Sequence, residues 1–570
     1  MGFKINGYII GGVFMVAISA FCGVKLYEKW KPNEEVMSLY DYYDMTEAKD
    51  STSAKLIIGT HLSTNDIMID NSVKYMDYEM AKRLNDRIFI DEEKSMFIFT
   101  TPTEVIKIPV DSTSYTVNGE SQTASAPILK KVDDIYYIDM AFVEKYSDFT
   151  YESFDSPNRV LIKYNTGEDS LIGTCKDGAT VRFMSDKKSK ILEKIGNNEK
   201  VIIDTVGTDT STGYTKVVTT DGVIGYVKDS EITKSDYEKY SNPNYTASEY
   251  TSIHKDFVSL AWASLTNQKA NSNGAAKVKN VKGVNVISPT WMTVAGENGE
   301  VSEWCSNDYV KAVHNAGMDV WIVVNDLEPN TKTANVLKDT DKRETLEKNI
   351  VNKVKEYNAE GVNVDFECVT VESSPYYIQF IRELSVLCRK EKLVLSVDSY
   401  VSMPYNAFYY RDKVAEVADY VVIMGYDEHH SNSEEIGSNA SISWTKKGID
   451  NSIADGVPKE KLVVTIPLYA RLFGTPEGEE GFTDCISYDM NEQQTLIKEE
   501  NLTPTWDADA MQNFVLYGKD GKRWKMWMED NKSIEEKLKV IKEAGIAGTG
   551  FWQLGYASSD VWDVVANYTK

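Results

Sequence analysis

Histidine is scarce in this chain, five in 570 residues, and His429 and His430 sit side by side instead of at the i, i+4 spacing of a helical ligand pair. The six cysteines (Cys22, Cys175, Cys305, Cys368, Cys388, Cys485) show no paired spacing, so neither a disulfide framework nor a zinc site is expected. No metal or other cofactor is expected. Positive charge is in deficit: 62 Lys and Arg stand against 87 Asp and Glu, a formal net charge of −25. Phosphate backbones repel such a surface, which argues against a nucleic-acid partner. Long apolar runs are also missing, with one exception.

The exception is residues 5–24, which carry no charge and are flanked by Lys4 and by Lys25, Lys29 and Lys31. A helix of that length spans about 30 Å, the thickness of a bilayer's hydrocarbon core. No small-x-small cleavage site follows the run cleanly, which disfavours a removed signal peptide. Residues 1–35 are therefore read as a membrane anchor with one transmembrane helix, the bulk of the chain lying outside the cytoplasm at a bacterial cell surface. At 570 residues the remainder is too long for one core and divides into several domains.

Residues 36–53 are polar and acidic, a spacer. Over 54–166 short apolar runs such as 55–58, 96–99 and 160–164 are separated by Asn, Asp, Gly and Ser, with one helix-like piece at 140–146. Residues 135–143, Ile-Tyr-Tyr-Ile-Asp-Met-Ala-Phe-Val, together with the strand ending at Tyr164, resemble the stalk domain named after the N-terminal part of copper amine oxidases. That resemblance implies a small α+β spacer or binding module, without copper. Within 167–235, five short strands are expected at 180–186, 191–196, 200–203, 214–218 and 221–228. The last contains Gly222-Val-Ile-Gly-Tyr-Val227 and resembles the closing strand of a bacterial SH3 domain, which implies attachment to cell-wall material or a spacer role. Residues 236–251, with Asn242-Pro-Asn244, form a linker.

From 252 to 570 the texture changes. Eight strand candidates, at 257–262, 284–290, 320–326, 361–367, 394–398, 420–426, 463–469 and 548–553, alternate with amphipathic pieces such as 308–316, 345–357 and 376–390. Eightfold alternation predicts a (β/α)8 barrel. The longest gap, 472–547, has room for a small insertion between strands seven and eight. Residues 514–517 and 524–528 flank Gly518-Lys-Asp-Gly521 there as a hairpin, and 533–544 reads as the last helix before strand eight.

Residues 360–367 read Glu-Gly-Val-Asn-Val-Asp-Phe-Glu. At a period of two, Val362, Val364 and Phe366 share one face and Asn363, Asp365 and Glu367 the other. In an antiparallel strand the polar face would meet water; in a barrel it points inward at the carboxyl end, where barrel enzymes keep their chemistry. The segment resembles the Asp-Gly-x-Asp-x-Asp-x-Glu motif of family 18 glycoside hydrolases, the chitinase-like barrels, and stands on the fourth strand as that family requires. Met424-Gly-Tyr-Asp427, Pro467-Leu-Tyr-Ala-Arg471 and Gly550-Phe-Trp-Gln553 agree in order, and 286–291 and 320–326 resemble the branch of spore and cell-wall N-acetylglucosaminidases.

The chemistry follows a separate line. Asp365 and Glu367 are two residues apart on one strand, with Cα atoms about 6.6 Å apart. A conventional retaining pair flanks the anomeric carbon from both sides, which strand neighbours do not easily do. A 2-acetamido sugar brings its own nucleophile, the amide oxygen, and closes to an oxazolinium. Under the resemblance Glu367 is the general acid and then the base, and Asp365 orients the acetamide and stabilises its positive charge. Two carboxyls this close should raise the apparent pKa of one of them. Tyr426 donates to the acetamide carbonyl, Asp427 contacts the sugar and Trp552 floors the subsite. Asn363, Met424, Tyr469, Arg471 and Trp262 complete the expected substrate-binding set. Arg471 either binds substrate or pairs with an acidic helix residue, and Trp262, Trp291 and Trp321 stand between core and subsite roles. Two positions depart from the motif. Glu360 replaces the first Asp, where a structural role is expected. Asn363 replaces the second; its amide can still hydrogen-bond Asp365 but cannot take up that charge.

The expected function is a membrane-tethered retaining glycosidase acting on a β-1,4-linked, N-acetylglucosamine-containing polysaccharide, with peptidoglycan as the substrate and the cell wall engaged through the SH3-like module. A chitinase, or a non-catalytic chitinase-like carbohydrate-binding surface protein, is the alternative.

Overall fold

A computed structural model describes residues 29–164, 170–206, 210–240, 242–247, 250, 253 and 255–569. The expected transmembrane segment 5–24 lies outside these residues, and among them no helix is long and apolar enough to cross a membrane.

The C-terminal part is a closed parallel barrel of strands β1 (Val258–Ala263), β2 (Val286–Pro289), β3 (Asp319–Asn325), β4 (Gly361–Asp365), β5 (Val394–Tyr400), β6 (Tyr420–Met424), β7 (Leu462–Pro467) and β8 (Gly548–Trp552). Each pairs with the next in parallel, β8 pairs with β1, and Val286 opposite Asp319 closes the ring. All eight expected strands are present, shifted by at most a few residues. Their two-residue period separates two cores. Ile287, Val320, Ile322, Val362, Val364, Val397, Ile423, Val464 and Phe551 face outward under the helices. Val258, Leu260, Trp262, Val286, Trp321, Val323, Tyr420, Val422 and Val463 fill the lumen. The barrel floor is thus dry, and polar inward positions are left only toward the carboxyl ends.

The covering helices are α1 (Gln268–Val278), α2 (Asn307–Asn315), α3 (Thr340–Glu356), α4 (Ser374–Glu391), α5 (Arg411–Val417), α6 (Ile442–Ala454), α7 (Asn531–Ala544) and α8 (Val561–Tyr568). Their ends carry ordinary signals: Ser306 accepts from Tyr309 N at the start of α2, and Gly545 ends α7 at φ 64°, a conformation that costs glycine little. Arg343 of α3 and Glu383 of α4, both fully buried, form a bidentate pair at 3.1 and 2.9 Å that locks these helices together.

Between β7 and α7 the insertion is larger than the hairpin expected. Tyr469–Pro476, Asp484–Asp489, Thr505–Asp507, Gln512–Lys519 and Lys522–Trp527 make a five-stranded antiparallel sheet backed by the helix Met490–Glu499, with its own core of Leu472, Leu496, Val515 and Met526. The expected hairpin is its centre, turning at Asp520 and Gly521 with φ 52° and 71°, the positive-φ pair of a tight two-residue turn.

Ahead of the barrel, residues 53–164 form a mixed sheet and a five-stranded antiparallel sheet, packed with the helices Tyr78–Leu84 and Met140–Lys145 around one core. Residues 170–238 form a seven-stranded antiparallel sheet, in which the five expected strands are joined by Ser170–Cys175 and Ile232–Glu238. The stretch read as a spacer carries two short helices, and Met37, Leu39 and Tyr42 pack against this second core while Tyr43 Oη donates to Gly222 O. The stretch read as a linker is likewise tied down: Asn242 donates to Phe149 O, and the Tyr250 ring lies against the Arg87 and Arg389 guanidinium groups. The 53–164 unit rests on the barrel's flank through Lys107 with Glu344, Lys94 with Asp341, Lys338 with Glu93 and Lys413 with Asp86.

Candidate active site

The carboxyl ends of β3 to β6 converge on one cluster. Phe366 anchors the end of β4 by turning outward and stacking on Phe380 of α4, which leaves Asp365 and Glu367 facing in. Just past β3, the buried Asp326 accepts from the backbone N–H groups of Glu367, at 2.8 Å, and of Cys368, at 3.1 Å. The acid's backbone is therefore held by the neighbouring strand. Its side chain is held by the next one: Tyr400, the last residue of β5, donates to Glu367 Oε2 at 2.6 Å, and Tyr409 Oη donates to Glu367 O at 3.2 Å. Tyr400 thus engages Oε2 and leaves Oε1 free of that bond.

Asp365 is half-buried, yet its Oδ1 is sealed from solvent and has no hydrogen-bond partner. Burial, followed by the charges of Glu367 and Asp326, pushes its carboxyl well above the usual range. Tyr426, just past β6, faces the same group, and desolvation raises its phenol as well, so it is a neutral donor. Gly425 before it allows close packing, since a Cβ there would stand 2.2 Å from Thr465 O. The Trp552 ring is half-exposed, tilted 6.5 Å from Tyr426 and edge-on to Trp262 at 5.9 Å, in position to floor a sugar site.

Asp427, exposed and at φ 58°, accepts from Tyr469 Oη at 2.9 Å and pairs with Arg471, whose Nε also reaches Asn439 Oδ1 at 3.3 Å. Arg471 is therefore paired with a residue of the site and not with a helix carboxylate. It also orients Asp427 across the cleft.

Three expectations change, and the open roles of Trp291 and Trp321 resolve. Asn363 is fully buried and bonds Asp398 instead of Asp365: its Nδ2 donates to Asp398 Oδ1 at 2.7 Å and Ser396 Oγ at 3.1 Å, because the neighbouring strand lies closer than the next inward position on its own. Trp262 is 2% exposed and spends its N–H on Asn363 Oδ1 at 2.8 Å, so it supports the site from beneath and does not present a face to substrate. Trp291 and Trp321 are core, the first donating to Asn271 Oδ1 and the second stacked on Tyr420. Met424 is 8% exposed and lies under the mouth. Glu360 is structural as expected, accepting from Val320 N at 2.8 Å beside His314.

Sequence reasoning missed Asp326, Asp398, Tyr400 and Tyr409. Asp398 and Tyr400 carry the signal already used on β4: Ser396, Asp398 and Tyr400 alternate with Leu395, Val397 and Ser399, and ending the strand at 398 hid it. Asp326, the last residue of the strand expected at 320–326, lies one residue past β3, and Tyr409 ends the short 3-10 segment Pro404–Tyr409; neither position stands out by periodicity.

The arrangement joins Glu367, an adjacent desolvated carboxyl, a neutral phenol and an aromatic ring. Residues 222–557 match the model of the glycosyl hydrolases family 18. The chain is 28% identical over 232 residues to an uncharacterised glycosylase of Bacillus subtilis, covering 39% of this chain and 64% of that protein. It is 25% identical over 231 residues to a cortical fragment-lytic enzyme of the same organism, covering 38% and 53%. The chain thus spans less than two thirds of the length of either relative. In fold it matches the C-terminal domain of a chitinase described as putative from Desulfitobacterium hafniense, with TM-score 0.50 and 20% identity, over 55% of this chain and all of that one. Because the family match covers more than half of its length and spans all eight strands and the acid on the fourth, the chain belongs to glycosyl hydrolase family 18.

Proposed function

We propose that this chain hydrolyses β-1,4 bonds next to N-acetylglucosamine with retention of configuration, using the substrate's own acetamide as nucleophile, and that its substrate is peptidoglycan. The observation that carries the mechanism is the pairing of Glu367 with a desolvated Asp365 on one strand. The carboxylate on the facing wall, Asp427, is already engaged by Arg471 and Tyr469 and is a poor candidate for the nucleophile of a two-carboxylate scheme. Glu367 protonates the leaving oxygen while the amide oxygen attacks the anomeric carbon. Tyr426 and Asp365 hold that amide, Asp365 stabilising the positive charge that develops on the amide nitrogen. Water activated by Glu367 then opens the oxazolinium.

The choice of polymer rests on the segment 5–24 acting as a membrane anchor and on the 170–238 sheet acting as an SH3-like wall-binding module, both of which would hold the barrel beside the cell's own wall. The relative named for lysing cortical fragments is in keeping with this. The test is hydrolysis of peptidoglycan, N-acetylglucosamine oligomers and their de-N-acetylated counterparts, with the product anomer followed by NMR. The reading expects cleavage of acetylated glycans only, with the β-anomer first. Equal cleavage of de-N-acetylated substrate refutes the mechanism, and cleavage of chitin oligomers without peptidoglycan refutes the polymer.

A further inference from the structure

The register of β4 on β5 pairs Asn363 with Ser396 and Val364 with Val397. Continued by one residue, it sets Asp365 level with Asp398 on the adjacent strand, about 4.8 Å across. By the two-residue period, both side chains belong to the inward set that already joins Asn363 to Asp398. Asp398 is 2% exposed and accepts from Asn363 Nδ2 at 2.7 Å, with the Trp262 N–H, itself bonded to Asn363 Oδ1, as a further favourable contact. Asp365 Oδ1 has no partner at all. Two buried carboxyls so placed do not both ionise. The donor favours charge on Asp398, and the unpartnered oxygen favours the proton on Asp365.

We propose that Asp398 is a positioning residue that shares one proton with Asp365, so that the catalytic carboxyl is switched on from β5 even though position 363 holds an amide. The inference rests on the acetamide mechanism above. In the resting site Asp365 is the acid and Asp398 the carboxylate. As the substrate's amide oxygen attacks and positive charge grows on its nitrogen, the Asp365 proton passes to Asp398. Asp365 becomes the carboxylate that accepts the amide N–H, and Asp398 becomes neutral. One proton moves, and the pair carries a single negative charge throughout. The fold raises the Asp398 carboxyl, through burial first and the Asp365 charge second. The other titratable groups that interact with it are Glu367, Tyr426 of the β6 end and Tyr377 of α4.

The experiment compares the wild-type chain, Asp398→Asn and the exchanged pair Asn363→Asp/Asp398→Asn on an N-acetylglucosamine oligomer, measuring kcat and KM across pH. Asp398→Asn is expected to lower kcat about ten- to a hundredfold with KM nearly unchanged, and to move the limb governed by Asp365 to lower pH, because the neighbouring charge is gone. The exchanged pair keeps one amide and one carboxylate in contact and is expected to recover at least about tenfold of the loss. Wild-type kcat and an unmoved pH profile in Asp398→Asn, or an exchanged pair no better than the single variant, overturn the proposal. If Asp398→Asn does not fold, Asp398→Glu and the exchanged pair decide it, and inactivity of both overturns it. A wild-type chain inert on every acetylated glycan would instead remove the mechanism on which the inference stands.

Discussion

Replacing Asp365 with Asn should make the barrel more stable and far less active, and the stability gain should depend on pH in one direction only. Burial and two neighbouring acids raise the Asp365 carboxyl above its ordinary value. A group whose folded pKa is raised contributes stability that is fully present below the unfolded pKa, about 3.9 for Asp, and lost as pH rises through the folded one. At neutral pH the wild type is therefore penalised by about 1.36 kcal/mol for each unit of that rise. Asn is nearly isosteric and cannot ionise, so the penalty disappears. A gain of 1 kcal/mol corresponds to about 2 °C in Tm for a domain of this size. Differential scanning calorimetry of the 570-residue chain at pH 4 to 8 should place the variant's barrel transition above the wild type's at neutral pH, the gap closing toward pH 4. A constant gap, or one that widens on acidification, would refute the reasoning. So would a variant that unfolds first at every pH.

Glu367→Gln should cut kcat by about a hundred- to ten-thousandfold while leaving oligomer affinity within a few-fold, read by calorimetry beside a reducing-end assay. Tyr400→Phe removes the hydroxyl that donates to Glu367 at 2.6 Å and should cost about tenfold or more in kcat with little change in KM. Trp552→Ala should act mainly on KM, by about tenfold, since a stacking face is lost without touching the acid. Glu383→Ala strands the buried Arg343 and should cost about 3–5 kcal/mol, seen as a lower denaturation midpoint with unchanged kcat in the surviving folded fraction.

The barrel was legible because each of its strands is buried on both faces, so that continuous apolar runs recur between amphipathic helices. The acid and its strand neighbour were legible for the opposite reason: Asn363, Asp365 and Glu367 break the apolar run at the period of the inward face. The insertion was only half visible. Its hairpin announces itself through Asp520-Gly521, whereas Asp484–Asp489 and Thr505–Asp507 are short, have no fully buried residue and read as loop. The partner of Asn363 was misplaced because one strand read alone offers only neighbours along itself, and the true contact lies across the ladder on β5. Trp262 looked like a sugar platform by residue type; its burial follows from its position in the lumen, which composition does not reveal.

Asp326 has a consequence for how such an enzyme can be altered. The backbone of the acid is moored to the end of β3, and its carboxyl to the end of β5, both belonging to the rigid frame. The exposed rim side chains Leu327, Val371 and Tyr405 make none of these attachments, although Tyr409, in the same segment as Tyr405, holds Glu367 O. Those rims can be rewritten, by evolution or by an engineer, while Glu367 keeps its position.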